Sequence, residues 1–196
     1  MGNVESDRFL RWWPRVRIAV VAAIMTLASG GRAAGQEPPE PVQAIPSLDL
    51  DRYAGVWHEV ARLPNGFQRR CVGDVTASYE LRDGGITVVN TCRAADGSTI
   101  RAEGRARLAD HDGPASRLKV RFAPGFLSFL PMVWGDYWVL DLTADYTAAL
   151  VGTPDRRYLW VLSRSPELDA ATYDRLVATA ARQGFDVARL VRSSQP

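Results

Sequence analysis

Alternation of apolar and polar residues governs the chain beyond about residue 50. From Thr99 to Leu108, one face carries Ile100, Ala102, Gly104, Ala106 and Leu108, and the other carries Thr99, Arg101, Glu103, Arg105 and Arg107. A period of two with one dry and one wet face predicts a strand of an antiparallel sheet. Arg117 to Phe122 repeats the pattern, with Leu118, Val120 and Phe122 on the dry face. Val75, Ala77, Tyr79 and Leu81 form a further inward row, which ends at the turn Arg82-Asp83-Gly84-Gly85. Ile86, Val88, Asn90 and Cys92 run back from that turn as the second arm of a hairpin. The first strand is Tyr53 to Arg62, stopped by Pro64. Val133 to Leu142, Tyr146 to Val151 and Tyr158 to Ser163 bring the count to eight. Short connections between so many short strands predict an all-β barrel or sandwich.

A change of period follows. Tyr173, Leu176, Val177, Ala180 and Ala181 recur at helical spacing, which predicts one helix packed by its apolar stripe on the outside of the sheet. Ser165 is placed to cap it, Pro166 to open it and Glu167 to meet its positive end; Gly184 stands at its left-handed stop, followed by Phe185. A short strand is expected near Ala188 to Val191. Eight strands can close around side chains or around one small ligand. Ala77, Ala102, Gly104 and Ala106 are small for an interior row, which favours an open cavity; large residues on facing strands would instead fill it.

The first residues have a different character. Arg8, Arg11, Arg15 and Arg17 precede the apolar run Ile18 to Leu27, and small residues follow as far as Gly35. This is the pattern of a secretory signal covering 1–34, cleaved around Ala33 to Gly35. Its apolar run is shorter than a membrane span. A proline-rich linker over 35–47 and one domain over 48–196 complete the expected organisation. No cysteine lies near the cleavage region, so the expected location is periplasmic or secreted, with outer-membrane association left open.

Composition adds little beyond exclusions. A net charge of +2 gives no argument for nucleic acid. Cys71 and Cys92 are the only cysteines, and in an exported chain an even pair reads as a disulfide. They share inward parity, yet Cys71 lies four residues before the position opposite Cys92, so the strand has to bulge or curl there. Two Cys and two scattered His do not make a metal site, and no Gly-x-Ser-x-Gly elbow, phosphate-binding loop or dinucleotide fingerprint occurs. No cofactor is expected.

Three short motifs then stand out in order. They are Gly55-Val56-Trp57 on the first strand, Thr143-Ala144-Asp145-Tyr146 between the sixth and seventh, and Ser163-Arg164 after the eighth. Together they resemble the three motifs of the lipocalin family. Segments such as WHEVARLPNGFQ and YLWVLSRSP look most like its bacterial subfamily, close to apolipoprotein D and the plant temperature-induced lipocalins. The resemblance spans about Leu48 to Val191. It implies an eight-stranded antiparallel up-and-down calycin barrel with a C-terminal helix outside. It also implies binding of a fatty acid or lysophospholipid, in a role tied to membrane maintenance under stress. Some members are enzymes through a lone reactive thiol, but both thiols here read as a pair, so no enzymatic activity is expected. By the same resemblance, Trp57 plugs the closed end and Arg164 lies across its indole, while Gly55 is read as admitting a close backbone approach.

If Trp57 faces inward, so does Glu59. An unpaired buried carboxylate is costly, so Glu59 is either a paired structural group or a polar anchor for a ligand. The inward parity of Arg164 fixes the eighth strand, turning Tyr158, Trp160 and Leu162 inside. On the sixth strand, placing Asp141 outside turns Trp138 and Leu140 inside. The expected ligand wall is therefore Glu59, Tyr79, Asn90, Ala102, Phe122, Trp138, Leu140 and Trp160. The apolar stretch Phe122 to Trp134 reads either as a loop folded over the barrel flank or, over Phe126–Trp134, as a lip that touches membranes. The competing functional readings are an enzyme acting on a lipid or pigment in the same barrel, with Glu59 its one candidate group, and a filled barrel with a structural role in the envelope.

Overall fold

The computed structural model describes residues 40–82, 85–123 and 125–195. The expected secretory leader and the first part of the expected linker, 35–39, lie outside these residues. Among the described residues, no helix is long and apolar enough to cross a membrane.

The strands are β1 (Gly55–Arg62), β2 (Cys71–Arg82), β3 (Gly85–Ala94), β4 (Thr99–Leu108), β5 (Arg117–Arg121), β6 (Gly135–Leu142), β7 (Ala148–Gly152), β8 (Leu159–Ser163) and a two-residue β9 (Val191–Arg192). Each of the first eight pairs antiparallel with its neighbour in sequence, and β1 pairs with both β2 and β8. The sheet therefore closes on itself as an up-and-down barrel, the alternative that the resemblance implies and not a sandwich. Leu81 pairs with Ile86 as expected, and the β2–β3 register slips twice between Cys71 and Thr76. That slip brings the ends of β2 and β3 together, and Cys71 and Cys92 form a disulfide.

One helix turn, α1 (Leu50–Tyr53), precedes β1, with the Asp49 side chain accepting from the amides of Asp51 and Arg52. The long helix, α2, spans Ala170–Arg182. Its cap is Asp169, whose carboxylate accepts from Thr172 N at 2.9 Å, so the helix starts later than the Ser165-Pro166 signal implies. Gly184 does supply the left-handed stop, at φ +79°, and Phe185 N donates to Ala180 O.

Two apolar clusters hold this arrangement. One fills the lower barrel, with Trp57, Tyr53, Tyr79, Val88, Leu118, Tyr137 and Val139. The other lies between the barrel wall and α2, with Val60, Leu140, Leu150, Val161, Leu176, Ala180 and Phe185. Val42 is buried in this outer cluster, and Ile45 N donates to Val139 O at 2.9 Å. The described part of the expected linker, 40–47, is thus packed on the barrel rather than held away from it.

The inward row of β6 differs from expectation. Tyr137 and Val139 face the interior, while Trp138 and Leu140 pack in or against the outer cluster under α2. The β6–β7 register shifts between Val139 and Asp141. Leu140 is the extra residue of a β-bulge, so Leu140 and Asp141 both lie outside. Asp141 accepts from Arg175 Nη1 at 2.7 Å and from Thr179 Oγ1 at 2.8 Å, both on α2.

Candidate functional site

The closed end is built around Trp57, which has no exposed surface. Its indole N–H donates to Tyr53 O at 2.8 Å. The Arg164 guanidinium lies 3.9 Å above the ring and donates to the carbonyls of Arg52, Ala54 and Val56, each at 2.8 Å. A flat cation with five fixed donors suits this task, because it stacks on an aromatic face while its edge satisfies carbonyls left open at the end of α1. Gly55 has φ +97°, and a Cβ there would stand 3.2 Å from Arg164 Nη1. Its close neighbour is therefore the Arg164 side chain, not another backbone. The second motif serves the same end: Thr143 Oγ1 accepts from the amides of Thr147 and Ala148, and Tyr146 O accepts from Arg164 Nε at 3.4 Å.

Above the plug, three phenols form one chain. Tyr137 OH lies 2.8 Å from Tyr53 OH and 2.7 Å from Tyr79 OH. Burial pushes all three upward in pKa, Tyr79 to about 12. The group is therefore neutral at physiological pH and can only donate or accept hydrogen bonds.

Over this floor the barrel is hollow. A cavity of about 710 Å³ rises from Tyr79, Tyr137 and Leu162 to a mouth formed by the β1–β2 turn, the β5–β6 loop and the β7–β8 turn. Of the expected wall residues, Glu59, Tyr79, Asn90, Ala102, Phe122 and Trp160 line it together. Trp138 and Leu140 do not, because the bulge in β6 turns that stretch over. A Cβ on Gly152 would meet both Leu140 Cδ1 and Phe185 Cζ at 2.8 Å, which fixes Leu140 beneath the end of α2. At the rim, Phe67, Tyr158 and Trp160 form an aromatic group, with ring centroids 5.4 Å apart for Phe67–Tyr158 and 6.0 Å for Tyr158–Trp160.

Glu59 is 3% exposed. Its carboxylate accepts from Gln68 Nε2 at 2.6 Å, from the Ser193 hydroxyl and from Arg62 Nη1 at 3.5 Å. It thus ties β1 to the β1–β2 turn and to the C-terminal segment, which also pairs with β1 through β9. Gln68 Oε1 in turn accepts from Trp160 Nε1 at 3.2 Å. These contacts match the paired reading of Glu59, although part of the group still borders the cavity.

Sequence reasoning missed Tyr137, Trp134 and Gln68 as wall residues. For Tyr137 a signal was present. Asp136 and Asp141 differ in parity, and a regular strand cannot hold both outside, so a bulge between them is required. Trp134 sits under Arg107 and Arg121, at 4.3 and 5.1 Å from its ring centroid. The loop bearing it folds into two 3-10 turns, Gly125–Leu127 and Pro131–Val133, and leaves Phe126 and Phe129 76% exposed and Met132 85% exposed.

Comparisons with known proteins agree with the barrel fold. A family model described as a lipocalin-like domain matches residues 48–195. Temperature-induced lipocalin-1 of Arabidopsis thaliana is 40% identical over 156 residues, covering 79% of this chain and 83% of that protein. Outer membrane lipoprotein Blc of Escherichia coli strain K12 is 35% identical over 189 residues, covering 95% of this chain and 99% of that protein. Mouse apolipoprotein D is 27% identical over 91% of this chain and 93% of its own. Among solved structures, insecticyanin from the tobacco hornworm aligns with a TM-score of 0.62 at 22% identity, over 80% of this chain and 86% of its own. With its family model covering most of the chain and its barrel closed by the Trp57–Arg164 plug, the chain belongs to the lipocalin-like family.

Proposed function

We propose that this protein is an exported lipid carrier that holds the acyl chain of a fatty acid or lysophospholipid in its barrel, in a periplasmic role in envelope maintenance. The observation that carries this reading is the cavity: about 710 Å³, plugged at one end, open at the other and walled mainly by apolar side chains. Its described lining includes the carboxylates Glu59 and Asp155 and the edge of Asp136, whose carboxylate pairs with Lys119 on the outer face, and no Lys or Arg. An anionic head group therefore has no partner inside, and the chain enters methyl end first with its head left at the mouth. The family relationship to an outer membrane lipoprotein supports an envelope setting. Glu59 is an unfavourable catalytic group, because three protein donors already hold its carboxylate.

Phe126, Phe129 and Met132 stand exposed on the loop beside the mouth, which suits a shallow contact with a bilayer from which a chain could pass. Replacing all three with serine should abolish co-sedimentation with phospholipid vesicles while leaving the melting temperature unchanged; unaltered co-sedimentation would remove the loop from the proposal. The carrier reading itself is tested by mass spectrometry of lipids extracted from natively purified protein. A defined acyl lipid near one per protein is the expected result, and protein free of lipid that also takes up none when offered it would overturn the reading.

A further inference from the structure

Among the described residues that line the cavity, one side chain carries a polar atom that is shut away from solvent and has no hydrogen-bond partner. Asn90 lies on the inner face of β3, paired across strands with Ala77 on one side and Ala102 on the other. Its Oδ1 is shut away from solvent and has no partner among the described residues. Both directly paired residues are alanine, which carries no group to bond the amide. A half turn about its last side-chain bond can present either the oxygen or the N–H₂ group to the cavity.

A second polar point stands on the same inner face. Tyr79 is two residues along β2 from Ala77 and ends the phenol chain. The direction of that chain follows from its far end. Tyr53 is enclosed and its hydroxyl has Tyr137 as its one partner among the described residues. If Tyr53 accepted, its own proton would be buried without an acceptor, at the cost of an unmade hydrogen bond. Tyr53 therefore donates to Tyr137 and Tyr137 to Tyr79, which leaves the Tyr79 proton available to the cavity.

We infer that Asn90 and Tyr79 form a polar reading point that selects an acyl chain carrying a hydroxyl partway along its length. This rests on the carrier reading above and narrows its ligand class. A chain hydroxyl can accept from the phenol, and it can pair with the amide by accepting from its nitrogen or, with the amide turned toward the cavity, by donating to its oxygen. An unsubstituted methylene chain covers the amide and leaves it unpaired. A carboxylate at this depth meets no cation among the described lining residues.

The test is a fluorescence titration of the full protein with octadecanoic acid and with a series of its isomers hydroxylated at successive carbons. One mid-chain isomer should bind about tenfold more tightly than the plain acid, the size of effect one buried amide hydrogen bond gives. In Asn90→Leu that preference should vanish, with the plain acid bound at least as tightly as by the parent. Tyr79→Phe should weaken the preference in part. Equal affinity of the parent for all isomers and the plain acid overturns the inference and leaves the carrier reading standing. Binding of none of them overturns both. The comparison among ligands on the parent needs no variant, so a misfolded Asn90→Leu does not shield the claim.

Discussion

Arg164 shows how one side chain can close a barrel. It covers the Trp57 ring and satisfies backbone carbonyls of the segment that crosses the closed end. Arg164→Ala would remove the stacking and leave those carbonyls to water, a loss of about 3 kcal/mol. Ligand affinity should hardly change, because the cavity floor of Tyr79, Tyr137 and Leu162 lies between Trp57 and any ligand. Melting curves and fatty-acid titrations of the variant check both halves. A variant that melts like the parent but binds poorly would show that the pocket has been placed at the wrong end. Glu59, the other polar residue on this inward row, differs in kind: its partners come from Gln68, Ser193 and Arg62, and its work in the structure is to join segments distant in sequence.

At the level of elements, the same features that build the barrel explain what the sequence disclosed. The β2–β3 hairpin was legible down to its register, because a single face is buried and a one-residue slip would turn every side chain over. The need for a bulge near Cys71 was legible too, from the mismatch between the two cysteines. Closing a loop of 21 residues, the bridge should contribute about 3 kcal/mol by restricting the unfolded chain. Thiol titration of the unreduced, denatured protein should find no free thiol, and two would contradict the pairing. The β6 wall was not legible from Asp141 alone. A bulge puts neighbouring residues on one face, and a parity argument carried across it fails from that point on, which is why Trp138 and Leu140 were assigned to the wrong side. The start of α2 shifted for a different reason. Ser165-Pro166 and Asp169 both offer capping chemistry, and the choice between them is made where the apolar stripe meets the barrel, not by local preference. Gly104 teaches a further point. Its smallness reads as room in the tube, yet a Cβ there would lie 2.6 Å from Arg121 O, so the residue admits the backbone of β5 and would not tolerate a filling side chain.

For the molecule as a whole, the buried phenols set an alkaline limit. Tyr79 ionises near pH 10 in the unfolded chain and only at about 12 in the fold, and burial moves Tyr53 and Tyr137 in the same direction. A raised folded pKa means that this contribution is fully present below about pH 10 and is lost as the pH rises toward 12. Thermal stability should therefore fall steeply above about pH 10, and Tyr79→Phe should make the fall shallower. Spectrophotometric titration should show Tyr53, Tyr79 and Tyr137 still protonated at about pH 10 while the barrel is folded. Ionisation of all three near pH 10 in the intact barrel would contradict their raised pKa values.

The central claim is that the barrel is hollow and takes an acyl chain, and Ala102→Trp tests it most directly. Ala102 faces the cavity and is exposed within it, so an indole has space to enter without displacing the wall. Fatty-acid titration, read through Trp160 in the wall, should be measured with melting on the parent and the variant. The account predicts that the parent binds and that Ala102→Trp loses binding while its melting temperature stays close to that of the parent. A parent that binds no fatty acid, together with a variant that loses about 1 to 3 kcal/mol of stability to overpacking, would contradict it, because that is the behaviour of a filled barrel.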